Sequence, residues 1–313
     1  MIPYDTRKYA LLIAGMHRSG TSALTRTLSI LGCDLPATLI KPKVDNPLGF
    51  WESQPIWSLN EDVLASGGSD WKDLSPFNPD WNGSPVSRPF LARAQEVLAA
   101  EYDGSRLLVL KDPRTCRLMP FWIEAVETFG ADPVAIIPIR HPYEVAASLQ
   151  KRNGFDPVDV QLLWLRHVLD AEHGSRHLRR IFVTFEDLLA DWERVTDRIA
   201  DLLQVEWPRK SLTARLEIAQ FLSDEGRHHR VEDRHAMSMS PIRWIGETYD
   251  IMKRWAAGGK DGRDFATLDR IRGEFDAASP ALRLLVLSQR EAQARANRLT
   301  AEAAKNNASK QQG

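Results

Sequence analysis

Residues 9–22, YALLIAGMHRSGTS, decide how the rest of the chain is read. The run from 9 to 14 is apolar and short, which suits a strand buried on both faces. Gly15 and Gly20 then permit a tight loop whose backbone N–H groups converge, and an apolar-periodic helix is expected over 22–31. A helix start adds its own unpaired N–H groups and dipole, so strand, loop and helix together make an anion cradle. The spacing nearly matches the phosphate-binding pattern G-x-x-x-x-G-K-[ST], but Thr21 stands where the lysine belongs. The nearby cation is instead Arg18, inside the loop. Gly15, His17, Arg18, Ser19, Gly20, Thr21 and Ser22 are the candidate ligands of the anion.

Three further runs share the character of the first, at 107–110, 134–139 and 181–185, with helices expected over 120–129, 143–150 and 187–203. Strands alternating with helices predict an α/β fold with a mostly parallel central sheet flanked by helices. Ligands in such folds sit at the carboxyl ends of the strands. Residues 42–90 break the rhythm. They are rich in Pro, Gly, Asn, Ser and Trp, and read as a loop-rich insertion with one helix near 56–65, placed to carry substrate contacts. Residues 210–290 read as helical, with turn signals at Gly258-Gly259 and Ser279-Pro280. Beyond them Leu285, Gln289, Ala292, Ala296, Leu299 and Ala303 form an alanine-rich seam too weak for a coiled coil, yet able to pair with a second copy or a partner domain. The final NNASKQQG reads as disordered. The expected division is a domain over 1–235 and a helical C-terminal extension over 236–313.

Composition narrows the function. Of 313 residues, 43% are hydrophobic, enough for a sizeable core. Forty-one Lys+Arg against 42 Asp+Glu leave a net charge of -1, which argues against a general nucleic-acid coat, an acidic disordered chain or a polybasic membrane binder. Attraction for anions must come from local clusters. Cys33 and Cys116 are too few for a disulfide framework, and no stretch approaches the roughly 18 apolar residues of a membrane span. A soluble, cytoplasmic protein with no nucleic-acid partner is expected. Trp51, Trp57, Trp71 and Trp81 in the insertion are placed either to stack sugar rings or to pack on the sheet.

A second anion site is suggested where 134–139 runs into RHPYEVAASL. Arg140 falls at the strand end and Ser148 on the following helix, so both can address one phosphate. Taken together, GMHRSGTS and RHPYEVAAS resemble the sulfotransferase family, enzymes that use 3′-phosphoadenosine 5′-phosphosulfate (PAPS) and release 3′-phosphoadenosine 5′-phosphate (PAP). LKDPRTCRL, NPLGFWES and FVTFEDLLADWERVTDRIADLL extend the resemblance over residues 8–235. It implies a P-loop-like nucleotide fold without a metal. The first loop would hold the 5′-phosphosulfate, and Arg140 and Ser148 the 3′-phosphate.

The resemblance also suggests roles in chemistry. Sulfuryl transfer rests on positioning, on cations that stabilise the leaving phosphate oxygen, and on a base for the acceptor proton. Arg18 is the first cation candidate. Lys111 at the second strand's end is the next, resembling the lysine of the Lys-Asp-Pro segment in tyrosylprotein sulfotransferases; its plain structural use would be an ion pair with Asp112. Asp112-Pro113 follows where enzymes of small phenols and steroids carry Thr-His, which turns the expected acceptor toward a glycan or glycolipid hydroxyl. Carbohydrate and protein sulfotransferases use a glutamate base, which points to Glu52, with Asp112 and His17 in reserve. Members close a late basic segment over the 3′-phosphate, a part open to Arg227 or Arg230 in DEGRHHRVEDRH. His228 and His229 are adjacent and diverge on a helix, so no metal is expected there. Glu186 and Asp187 are expected to cap a helix rather than act in chemistry.

Two other classes stay in view. A P-loop nucleotide or small-molecule kinase is opposed by Thr21 and by the lack of an acidic magnesium site behind an apolar strand. A non-enzymatic adaptor on a degenerate nucleotide fold is opposed by the joint presence of Arg18, Lys111, Arg140 and Ser148.

Overall fold

The computed structural model describes residues 7–42, 46, 48–228, 242–259 and 261–311. Among them β1 (Tyr9–Ile13), β2 (Leu107–Lys111), β3 (Asp132–Ile139) and β4 (Arg179–Thr184) form one parallel sheet in the order β2-β1-β3-β4. Tyr9 is in register with Leu107 on one side and Asp132 on the other, and Val134 with Arg179. The chain leaves β1 for the edge strand β2, then returns across β1 to β3. Such a reversal opens a crevice at the carboxyl ends of β1 and β3.

Every residue of β1 and β2 is buried, as expected of strands covered on both faces. Side chains alternate between two cores. Ala10, Leu12 and Ala14 join a core with α2 (Gln54–Ser66), α4 (Met119–Thr128) and α6 (Pro157–Gly174). Tyr9, Leu11 and Ile13 join a second core on the other face, with α1 (Thr21–Ile30), α8 (Trp192–Leu203) and α9 (Leu212–His228).

The expected strands and helices stand within a few residues of their places; α6 is not among those expected, and four expectations differ in detail. Residues 42–90 hold not one helix but α2 and the start of α3 (Ser87–Glu101), which runs on beyond the insertion. The helix read over 187–203 is two, α7 (Phe185–Ala190) and α8. Asp191 both ends the first, donating its N–H to the Asp187 carbonyl, and caps the second by accepting from Arg194 N–H at 3.1 Å. Thr184, not Glu186 or Asp187, caps α7. Its hydroxyl accepts from Asp187 N–H and donates to the Asp187 carboxylate at 2.6 Å, a reciprocal capping arrangement. Finally, Ser279-Pro280 is no turn, because α11 (Asp264–Gln311) runs straight through it. Pro280 has no N–H to offer the carbonyl of Asp276, and the Ser279 hydroxyl donates to that carbonyl instead, at 2.9 Å.

The C-terminal helices are not an appendage. From α10 (Arg243–Ala256), Ile245, Met252 and Trp255 enter the first core, with Trp255 edge-on to Phe182 of β4. Leu268, Ile271 and Phe275 of α11 enter the same core. The helix backbone continues to Gln311, through most of the stretch read as a disordered tail. No helix among the described residues is long and apolar enough to cross a membrane.

Candidate active site

The loop from β1 to α1 has the shape the two glycines suggest. A Cβ on Gly15 would fall 2.6 Å from Pro138 Cγ and 2.9 Å from Thr21 Cγ2, so only glycine fits. Gly20 stands at φ +82 as the residue before α1, and a Cβ there would fall 2.3 Å from the Phe185 ring. Arg18 also takes a left-handed φ, +67. No side chain caps α1, so its first N–H groups are left to a ligand. The Ser19 hydroxyl is buried without a partner, a second unspent polar group in the cradle.

A lysine reaches the start of α1 from the neighbouring strand. Lys111, last residue of β2, donates to Ser22 Oγ at 3.2 Å, in the first turn of α1. It also donates to the Phe50 carbonyl at 2.8 Å and to Glu52 Oε1 at 2.5 Å, with both charged side chains buried. The Lys111–Asp112 pair, the plain structural alternative for this lysine, is not formed. Asp112 instead accepts from Arg114 N–H at 2.7 Å and pairs with the Arg114 guanidinium at 3.2 Å, so it is spent on a short 3-10 turn. Glu52 is no exposed loop acid. Burial pushes its carboxyl above the ordinary glutamate value, Lys111 pulling down against it and Asp112 adding to the rise. Trp51, at a left-handed φ of +57, lies between the two groups of 50–52 that Lys111 binds.

Arg18 and Ser148 meet, Nε to Oγ at 2.8 Å, which joins the loop to α5 (Pro142–Asn153). Arg140 donates to the Arg18 carbonyl at 3.2 Å and to Glu144 Oε2 at 2.8 Å, over the Phe185 ring. Residues of the two expected anion sites therefore meet, Arg18 through its side chain with Ser148 and through its carbonyl with Arg140. His141 is structural: its Nδ1 accepts from Tyr143 N–H at the start of α5, and its ring lies against Tyr143 and Tyr249. Arg230 lies outside the described residues, as does the side chain of Arg227 near the end of α9, and the expected late basic segment goes with them.

Beside this cluster opens a cleft of about 850 Å³, counted out to its mouth and lined by His17, Phe50, Glu52, Trp57, Trp71 and Arg114 among others. His17 packs against Trp71 at 4.7 Å between ring centroids, and its Nε2 is buried without a partner. Burial holds its pKa well below the ordinary histidine value, and Arg114, His167, Lys111 and Arg152 push the same way, so the ring is neutral at pH 7. Of the insertion's tryptophans, Trp57 and Trp71 line the cleft. Trp51 lies under Arg26, and Trp81 is core, donating to Ser66 Oγ at 2.9 Å.

Four participants escaped the sequence reading. Arg114 and Arg152 border the cleft, Glu144 balances Arg140, and the Phe50 carbonyl receives Lys111. Arg114 had a local signal, its place in the KDPR turn behind Lys111. The Phe50 carbonyl had none, since a backbone acceptor leaves no mark on residue type. Among the described residues no group of three or more His, Cys, Asp or Glu side chains is placed to hold a metal ion.

A family model described as "Sulfotransferase family" matches residues 10–209. No curated protein matches the chain. Among solved structures, the sulfotransferase domain of the olefin synthase of Synechococcus PCC 7002 is 18% identical, over 86% of this chain and 97% of that one, with a TM-score of 0.41. The sulfotransferase domain of the curacin biosynthetic pathway is 17% identical, over 80% and 97%, with a TM-score of 0.39.

Proposed function

The chain belongs to the sulfotransferase family, and on that premise we propose that it moves a sulfuryl group from PAPS to a hydroxyl of a carbohydrate acceptor. The observation that carries the reading is the meeting of Lys111 and Glu52 beside the first turn of α1, at the rim of a cleft. A cation, a carboxylate and an anion cradle within one hydrogen-bonded group are what sulfuryl transfer asks for.

The residues present fit the donor. Gly15 and Gly20 leave no room for a Cβ, the Ser19 hydroxyl has no protein partner, and the α1 N–H groups are uncapped. Gly15, His17, Arg18, Ser19, Gly20, Thr21 and Ser22 would surround the phosphosulfate, and Arg140 with Ser148 the 3′-phosphate. When bound, PAPS supplies the sulfuryl group: its S–O bond to the 5′-phosphate breaks as the acceptor oxygen bonds to sulfur, and PAP leaves. Glu52 takes the hydroxyl proton, and the burial that raises its carboxyl pKa lets it hold that proton more firmly than an exposed glutamate would. Lys111, 2.5 Å away, keeps the carboxylate ionised before the proton arrives and holds positive charge beside the cradle. Trp57 and Trp71 offer apolar faces to a sugar ring, with polar rims at His17, Gln54 and Asn153.

Thermal unfolding with PAP in the absence of metal, against ATP with magnesium, tests the donor. At about 100 times Kd a ligand that binds the native state adds about 2.7 kcal/mol. PAP should raise the midpoint and ATP–magnesium should not. The opposite pattern would point to a kinase and sink the proposal. Transfer of labelled sulfate from PAPS to a panel of glycans and phenols tests the acceptor: label on phenols alone would overturn the carbohydrate assignment.

A further inference from the structure

The wall of the cleft that carries Trp71 has no regular structure of its own, and its backbone is held by buried charge. Arg117 donates to the carbonyls of Asp70 at 3.4 Å, Asp73 at 2.9 Å and Ser75 at 2.6 Å. Arg166 of α6 donates to the carbonyl of Leu74 at 2.8 Å. Both guanidinium groups are fully buried. Asp170 of α6 joins them, 2.8 Å from Arg117 and 3.2 Å from Arg166. Burial alone would push the Asp170 carboxyl up, yet Arg166, Arg117 and Arg272 around it hold it below the ordinary aspartate value. The network closes on α11: Asp276 accepts from Arg166 at 2.5 Å, Arg272 reaches Asp170 at 3.3 Å, and Phe275 lies under Arg166. Arg283, a turn or two further along α11, comes within 3.7 Å of the Asp73 carboxylate.

Two buried arginines are a costly way to gain stability, because well-packed apolar side chains of similar volume would do as well or better. Their directional donors do something apolar packing cannot: they fix the backbone of residues 70–75 at four carbonyls. We propose that Arg117, Arg166, Asp170 and Asp276 are positioning residues that hold Trp71 against His17, and that α11 is thereby the outer brace of the acceptor side of the cleft. The inference rests on the reading of that cleft as the acceptor site. It gives the C-terminal helix a part in specificity, although none of its described side chains lines the cleft.

His17 reports on the brace, since its ring packs against Trp71. The test is histidine NMR titration of the full chain, with His17 assigned through His17→Gln, beside calorimetric binding of PAP. Arg117→Lys keeps the charge and loses the fork. Asp276→Ala works from the α11 side and is the milder change, which keeps the test open if the first variant fails to fold. In each, releasing Trp71 should hydrate His17 and move its midpoint up toward the ordinary value of 6.5. PAP affinity should stay within about threefold of the parent, because Arg117 and Asp276 bond to residues 70–75, Asp170, Arg166 and Arg272 and reach the cradle only through Trp71 on His17. An unmoved His17 midpoint in variants with a lowered melting temperature would overturn the proposal, leaving the network a purely structural one. A shift that comes with a loss of PAP affinity beyond about tenfold would overturn it too, because the network would then be holding the whole site. If His17 moves while even the parent fails to bind PAP, the brace stands and the donor assignment falls.

Discussion

Replacing Lys111 by methionine tests whether the buried pair with Glu52 exists in solution, and its size can be worked out beforehand. Without the lysine, Glu52 either stays ionised in a buried site or takes up a proton. Starting from the ordinary glutamate value of 4.5, protonation at pH 7 costs about 1.4 kcal/mol per unit, about 3.4 kcal/mol in all. That is a ceiling on the carboxylate's share, since the cheaper route is taken. It falls within the roughly 3–5 kcal/mol expected for breaking a buried pair. The unpaired Glu52 would have a folded pKa raised above its unfolded one, so the folded chain binds the extra proton. Its contribution is then intact below about pH 4.5 and is lost as pH rises toward the folded pKa. At pH 5.5 the same ceiling is about 1.4 kcal/mol, so the variant's deficit should grow by about 2 kcal/mol between pH 5.5 and 7. Urea unfolding of parent, Lys111→Met and Lys111→Met with Glu52→Leu at both pH values provides the measurement. The double variant should recover most of the loss at pH 7 and show no such growth. An equal deficit at both pH values, or a double variant no better than the single at pH 7, would refute the reasoning.

Glu52→Gln should lower kcat by about 10²–10⁴-fold while leaving PAP affinity within about twofold, as calorimetry and labelled-PAPS turnover will read. In the parent, kcat/KM should rise with pH through an acid limb whose midpoint lies above the ordinary 4.5, because burial raises the Glu52 pKa and the base acts deprotonated. Arg140→Ala removes a charged donor from the cradle and should weaken PAP by about 10–100-fold in the same titration, with the unfolding transition still cooperative. Gly20→Ala places a methyl 2.3 Å from the Phe185 ring at φ +82 and should lose about 1–3 kcal/mol of stability by urea unfolding.

What the sequence shows of this site is what depends on near neighbours along the chain. The cradle is legible because Gly15 and Gly20 lie between a buried apolar run and a helix start, and the contacts of both glycines confirm the need. Arg140 and Ser148 are legible for the same reason, a strand end and its following helix. The partner of Lys111 is not, since Glu52 lies 59 residues away in a stretch with no periodicity of its own. Local proximity favoured Asp112, which the Arg114 backbone had already taken. Nor could composition sort the tryptophans, because Trp71 on the cleft and Trp81 in the core follow similar turn-rich neighbours. The continuation of α11 past Pro280 hangs on one serine hydroxyl standing in for a missing N–H, a substitution that the Ser-Pro turn signal conceals.

The alternation of side chains along β1 has a consequence for how such a protein can change. Ile56, Leu59, Val63, Leu64 and Leu74 of the insertion join only the core on one face of the sheet, while Ala23, Leu24 and Leu28 behind the donor cradle join only the other. The sheet is a partition between them. Substitutions that reshape the acceptor wall spend their strain in one compartment, and their effects should add to, rather than compound with, changes made in the other. On the proposed function, an evolving lineage, or an engineer, can therefore rewrite residues 42–90 as a cassette and keep the loop after β1. The contacts of Phe50, Trp51 and Glu52 with Ser22, Arg26 and Lys111 cross that partition's edge, and they are what any new cassette must preserve.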